Sequence, residues 1–308
     1  MSDISPMPKP VKHTEIGSVK ILFMLMIVFL IQSRLMALGP KIEKQSSEKG
    51  CFILPILSYT PQTQVAGGIL INCYFNKREK TKHHPPSTII PAVIYTQRKQ
   101  FSAEISGDFY SNQAEYHVRH YLSYRKFPDH FFGIGTGSRA SAEENYTPRI
   151  LSVQLVFHRR VFGNAYLGFC FEYCNTELIK TVNDGLLQKG TIPGADGAQT
   201  MGYGLSVLSD TRDNVFYPQK GYLVKWTLQR FDEKSGSEFV FSRMTADVRG
   251  FVPIRSRHIL ALHGFFDVTR GRVPFNRLPM IGKMGECNLM RGYQQGRYRD
   301  KCSWVVQG

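Results

Sequence analysis

Two short stretches concentrate the side chains with the most chemical reach. Residues 290–300, MRGYQQGRYRD, set Arg291, Arg297 and Arg299 beside Asp300, with Tyr293, Tyr298 and two glycines between them. Residues 210–221, DTRDNVFYPQKG, place Arg212 between Asp210 and Asp213, followed by Pro218 and Gly221. The chemistry open to both is holding rather than transformation. A guanidinium is a planar fork that grips two carboxylate or carbonyl oxygens at once, so Arg291 suits pinning a loop against a wall. Gly292 lets the backbone turn where a side chain would collide, and Tyr293 packs while its hydroxyl still bonds. The plainer alternative for 291–299 is a solvated surface loop. For Asp210, Arg212 and Asp213 it is a polar turn whose exposed ion pairs contribute at most about 1 kcal/mol.

Catalytic signatures are absent. The sequence has no Gly-x-Ser-x-Gly elbow, no His-Glu-x-x-His and no phosphate-binding glycine loop. Its histidines are scattered over strand and loop positions, no Ser and His stand out as a pair, and no enzyme is expected. The cysteines at 51, 73, 170, 174, 287 and 302 form neither Cys-x-x-Cys nor a zinc-type spacing with His, so no metal or cofactor is implied. Cys170 and Cys174 would share one strand face roughly 13 Å apart, too far to bond directly. The cysteines are read as unpaired structural thiols.

What must position these residues is a series of β-strands. In 222–229 the residues Tyr222, Val224, Trp226 and Leu228 point one way and Lys225, Thr227 and Gln229 the other, a period of two. Tyr116, Val118, Leu122 and Tyr124 repeat it, interrupted only by His120. So do Leu151, Val153, Leu155 and Phe157, and then Leu167, Phe169, Phe171 and Tyr173. Such segments predict strands near 64–75, 87–97, 100–112, 115–126, 148–161, 164–176, 199–211, 221–232, 238–252, 258–269 and 302–307. These strands are longer than the five or six residues usual in soluble sheets. Tight turns alternate with long polar connections. One strand carries Arg243, Asp247 and Arg249 on a single side, which a dry sandwich interior would not tolerate.

Aromatics make up 12% of the 308 residues, which favours strands over helical bundles, and the negative mean hydropathy excludes a polytopic helical membrane protein. The net charge of +15 is spread thinly rather than clustered, so nucleic acid is not the expected partner and anionic lipid headgroups are. Lys9, Lys12 and Lys20 precede an apolar run at 21–31, ILFMLMIVFLI. That run is too short to cross a bilayer core of about 30 Å but fits a secretory signal; an N-terminal membrane anchor is the alternative. Long strands with one apolar and one polar face, behind such a signal, suit a membrane-spanning antiparallel β-barrel, because lipid cannot hydrogen-bond a backbone. A soluble β-sandwich is the competing fold.

The DTRDNVFYPQKG turn and the later LPMIGKMGECNLMRGYQQGRYRD together resemble the barrel domain of the BamA/TamA outer-membrane assembly superfamily, also called the bacterial surface antigen family. YTPQTQVAGG at 59–68 and FFGIGTG with NYTPR at 131–149 resemble its opening and middle strands. The resemblance implies that Asp210, Thr211, Arg212, Asp213, Asn214, Pro218 and Gly221 form a structural signature turn. It also implies that Arg291, Gly292 and Tyr293 tip a loop folded into the lumen, touching acidic and aromatic residues of later strands. Gly282-Lys283 stands where the family often has two glycines.

The expected organisation is a signal peptide and flank at 1–39, a short lead-in at 40–63 and the outer-membrane barrel at 64–308. About ten or eleven strands are expected where the family has about sixteen. The family's POTRA modules and last strands are not found in the sequence, which suggests a fragment, a split gene product or a decaying gene. The function implied is assembly, insertion or translocation of other proteins in the bacterial outer membrane. Its partners would be outer-membrane lipid and unfolded barrel substrates or accessory assembly proteins. The alternative is a passive channel or surface antigen.

Overall fold

A computed structural model describes residues 48–60, 63–76, 86–111, 114–215, 217–255, 258–282, 290 and 292–308. The expected signal peptide, Cys287 and Arg291 lie outside the described residues. Among the described residues there are thirteen strands: β1 Glu48–Thr60, β2 Gln64–Asn76, β3 Ser87–Thr96, β4 Phe101–Ser111, β5 Tyr116–Lys126, β6 Asp129–Phe131 and β7 Glu144–Phe162. There follow β8 Ala165–Lys180, β9 Ala198–Asp210, β10 Gly221–Phe231, β11 Phe241–Arg255, β12 His258–Gly271 and β13 Cys302–Gln307. All but β6 pair antiparallel with their sequence neighbours in one meander, β5 pairing directly with β7, while β6 pairs only with the start of β7. β1 and β13 are the two edges, and no pairing joins them among the described residues.

Two neighbouring register rows state the physics of this sheet. His117, His158, Gly168, Ser206, Thr227, Thr245, Asp267 and Ser303 stand opposite one another from β5 to β13. His117 and Ser206 are essentially fully buried, and Thr227 and Asp267 nearly so. One residue along, Phe157, Phe169, Leu205, Leu228 and Met244 form the next row, and Phe169 and Leu205 are 50% and 54% exposed. Polar side chains are inside and apolar ones outside, the reverse of a water-soluble sheet and what a strand crossing lipid requires. Among the described residues no helix is long and apolar enough to cross a membrane.

The inner row is self-satisfied. Asp108 Oδ1 lies 2.6 Å from His117 Nε2, the His117 and His158 Nδ1 atoms are 3.2 Å apart, and His158 Nε2 is 2.9 Å from Ser206 Oγ. The Thr227 and Thr245 hydroxyls bond each other, and Arg243 Nε donates to Asp267 Oδ1 at 2.8 Å. Arg249 Nε donates to Asp247 Oδ1 at 2.9 Å, so the charges of β11 are paired on the inner side. Gly168 makes the histidine chain possible, because a Cβ there would meet His158 Cδ2 at 2.4 Å.

Three expectations change. β1 occupies 48–60, inside the predicted lead-in 40–63, so the sheet begins before residue 64. Its FILPIL core is apolar on both faces, with Phe52 and Ile53 exposed on opposite sides, and therefore shows no period of two. Pro55 is tolerated because an edge strand needs only one ladder. Cys51 and Cys73 form a disulfide rather than free thiols: once β1 pairs with β2 the two stand directly opposite. Cys170 and Cys174 are free and buried. The strand total is thirteen rather than ten or eleven, β6 being three residues long and β1 lacking alternation.

The connections sort by end. The connections after β5, β8, β10 and β12 leave the sheet at one end and those after β7, β9 and β11 at the other, the latter mostly shorter. The sheet also curls, because residues following β12 reach the inner side of β6, β7 and β8.

Candidate functional site

The connection between β12 and β13 is folded against the inner face of the sheet and pinned at two points. The first is a 3-10 turn, Phe275–Arg277, held between Pro274 and Pro279. Phe275 is fully buried and meets Phe131 of β6 and Tyr146 of β7 edge-on, with ring centroids 5.2 and 5.5 Å apart. Its N–H donates to Pro193 O at 2.8 Å, tying in the connection between β8 and β9. Asn276 Nδ2 donates to Thr176 Oγ1 at 2.6 Å. Arg277 donates to Glu172 of β8, which also accepts from Gln154 and Gln229, and its guanidinium lies over the Phe231 ring.

The second pin is Arg299, 1% exposed. Its Nη2 donates to His130 O at 3.1 Å and to Tyr146 Oη at 3.3 Å, and stands 3.7 Å from Asp129 Oδ2. Tyr146 Oη in turn donates to Asp129 Oδ2 at 3.1 Å. The guanidinium lies beside the edge-on pair Phe131 and Phe275, 5.9 and 5.7 Å from their centroids. Beside it Arg297 donates to Ser138 Oγ at 3.0 Å and Ser138 O at 2.9 Å. Within the loop, Met280 pairs with Arg299 as an isolated bridge and Ile281 N donates to Tyr298 O at 3.1 Å. Glu144, at the start of β7, accepts from the N–H groups of Leu186 and Leu187, so one carboxylate fastens the neighbouring loop as well.

Of the predicted tip, Gly292 and Tyr293 are described. Arg291 lies outside the described residues. Gly292 has φ +93°, the turn expected of it. Tyr293 is half exposed, its ring tilted against Tyr298, and it takes no part in either pin. The described loop contacts above go to β6, β7, β8 and β10 and to the connections before β7 and β9, all of which precede the loop. Phe275, Arg277, Asp129, Glu144 and Glu172 were not singled out from sequence, and Arg299 only as one of the arginines of 290–300. The one available signal was VPFNRLP, two prolines bracketing an aromatic and a cation.

Between β9 and β10 the described residues of 210–221 are joined by hydrogen bonds. Arg212 grips Asp210 bidentately, Nε to Oδ1 at 2.9 Å and Nη2 to Oδ2 at 2.7 Å. Thr211 N donates to Tyr222 O at 2.8 Å, and Tyr222 N donates to Thr211 Oγ1 at 3.0 Å. The N–H groups of Gln219, Lys220 and Asn214 all donate to Asp213 Oδ1, Gln219 at 2.9 Å, and hold that carboxyl below the usual carboxylate range. Asn214 Oδ1 accepts from Tyr217 N at 3.1 Å, so Pro218, which has no N–H, stands between two residues that donate. Gly221 has φ +101°, and a Cβ there would come within 2.3 Å of Thr211 O.

One pairing escaped the sequence: His158 and Ser206, 48 positions apart, are hydrogen-bonded. Ser206 is fully buried, so its hydroxyl meets His158 and no approaching molecule. Everything assembled at the loop and at the turn holds backbone in place.

A family model described as the Omp85 superfamily domain matches residues 105–305. Among solved structures the fold resembles the crystal structure of BamA from Haemophilus ducreyi lacking POTRA domains 1–3, with a TM-score of 0.50 and 14% identity. The match covers 82% of this chain and 47% of that one, so this chain spans about half its length. No curated protein matches. With a family model spanning most of a sheet that is polar within and apolar without, the chain belongs to the Omp85 superfamily.

Proposed function

We propose that this outer-membrane β-barrel serves the assembly, insertion or translocation of other proteins, and that it reaches the membrane behind a cleaved signal ending near residue 39. The observation that carries the reading is the described part of the connection 272–301, held against the inner face by Phe275, Arg277 and Arg299. A loop clamped into the lumen obstructs free diffusion through it. A protein that passes strands or chains along its wall uses such a brace to keep the polar interior in shape. Residues 291–293 would form the exposed tip of that brace and 210–221 a rigid turn at the opposite end.

The test is deletion of the chain in its own host, followed by quantification of the other barrels in the outer membrane. Loss of several unrelated barrels supports assembly. Unchanged barrel levels, together with ion conductance by the purified protein in planar bilayers, would replace the reading with that of a passive channel.

A further inference from the structure

We propose that Arg230, Ser242 and Arg270 form a binding site for the phosphate of a lipid headgroup, at the rim of the apolar belt on the side of the long loops. The three stand opposite one another in register on β10, β11 and β12. They face outward, because the alternate positions Gln229, Arg243 and Thr269 face in: Gln229 bonds Glu172, Arg243 bonds Asp267, and Thr269 is buried. The Arg230 side chain is 52% exposed and meets only the Asp232 carboxylate, 4.0 Å away, which already caps Ser235 N. Arg270 is exposed and has no hydrogen bond or ion pair among the described residues.

The position relative to the belt is what selects a lipid. Directly below the three lie Leu228, Met244 and Val268, then Trp226, Ala246 and Phe266, then Val224, Val248 and Gly264. On β12 the outward residues from Leu260 to Val268 cover about 27 Å along the strand, which at a tilt of about 35–45° projects to about 19–22 Å, most of the roughly 25 Å apolar band of an outer-membrane barrel. Arg230 and Arg270 are thus the first outward charges met on leaving the band, and half-exposed Tyr203 stands opposite Arg230 as an interfacial aromatic.

Strands two apart lie about 10 Å from each other, so two arginine side chains converge over Ser242 and can share one phosphate, with the hydroxyl as a third donor. A free phosphate would find the same donors screened by water and salt. A headgroup anchored by acyl chains against Leu228 and Met244 is delivered to them. The proposal rests on the barrel lying in a bilayer and not on any role in assembly.

The experiment uses the full chain, purified in neutral detergent, with retained lipid counted by native mass spectrometry. The probes are phosphatidylglycerol and a monoglucosyl diacylglycerol of the same acyl chains, with heat-modifiable gel migration as the check of folding. Phosphatidylglycerol is expected to be retained over the uncharged lipid. The variant R230Q/R270Q should lose it by about thirtyfold, from about fivefold per arginine near an anionic surface. Should that variant not fold, Ser242→Asp replaces it and is expected to repel the same lipid. Equal retention of the two lipids, or undiminished retention by a folded variant, overturns the proposal. Displacement of the lipid by an equal concentration of inorganic phosphate overturns it in favour of a simple anion site.

Discussion

The turn 210–221 and the loop 272–301 use the same side chains, arginine against carboxylate with glycine at the bends, and arrive at opposite kinds of structure. The hydrogen bonds of Asp210 to Asn214 that close the turn reach at most eleven residues along the chain, with one more, from Asn164 Nδ2 to Asp210 O, arriving from 46 residues away. In the loop, Asn276, Arg277, Arg297 and Arg299 bond partners 100 to 169 residues away. The turn is exposed and survives on geometry its own residues define. The pins of the loop are buried, and their cations depend on a wall built by other strands. Local arrangements of this kind tolerate the loss of one contact, whereas a desolvated charge does not, because removing one partner strands the other.

That contrast can be broken by mutation. The largest effect is expected from Arg299→Met, which leaves Asp129 and His130 O facing an apolar side chain; breaking a buried pair of this sort costs about 3–5 kcal/mol. Urea unfolding of the micelle-embedded protein measures it, and a loss under 1 kcal/mol would mean that the loop is not clamped. Lysine at 299 should restore little, since an ammonium lacks the fork that reaches both His130 O and Tyr146 Oη.

Gly221→Ala comes next. It forces a Cβ onto Thr211 O at a positive φ, with an expected cost of about 1–3 kcal/mol, read from the same unfolding curves. A neutral outcome would show that the turn adapts and is not a rigid unit.

Asp213→Asn is the mildest, and its signature is pH dependence. The folded carboxyl is held low by the N–H groups of Gln219, Lys220 and Asn214. The unfolded one titrates near the ordinary value of about 3.9. The contribution is therefore complete above the unfolded value and fades as pH falls through the folded one. The wild-type chain should lose this increment of stability on acidification, and the asparagine variant should lack that part of the slope.

The strands with alternating faces were legible because a period of two survives translation into structure directly. The predicted 221–232 and 258–269 coincide with β10 and β12 to within two residues. β7 runs further than predicted, from 144, because its first residues gain β6 as a partner, and pairing is not visible in a single segment. β1 was missed because apolar residues on both faces erase the alternation, and with it went the Cys51–Cys73 disulfide, which exists only once the register of β1 on β2 is set. The His158–Ser206 contact was hidden for the same reason: Gly168 intervenes on β8 and lets one side chain cross a strand.

By itself the sequence determined that the chain is built of long two-faced strands, that 210–221 would close as a turn, and that its resemblance lay with outer-membrane barrels. These properties are written in neighbouring residues, as alternation and turn chemistry, and need no distant partner. Only the tertiary structure decided that the polar face lies inside, where His117, Ser206 and Asp267 satisfy one another. It also decided that the described brace of the lumen is Arg299 with Arg277. Whether a guanidinium is a solvated charge or a clamp depends on carboxylates and rings brought to it by strands more than a hundred residues away, and no local pattern records which strands those are.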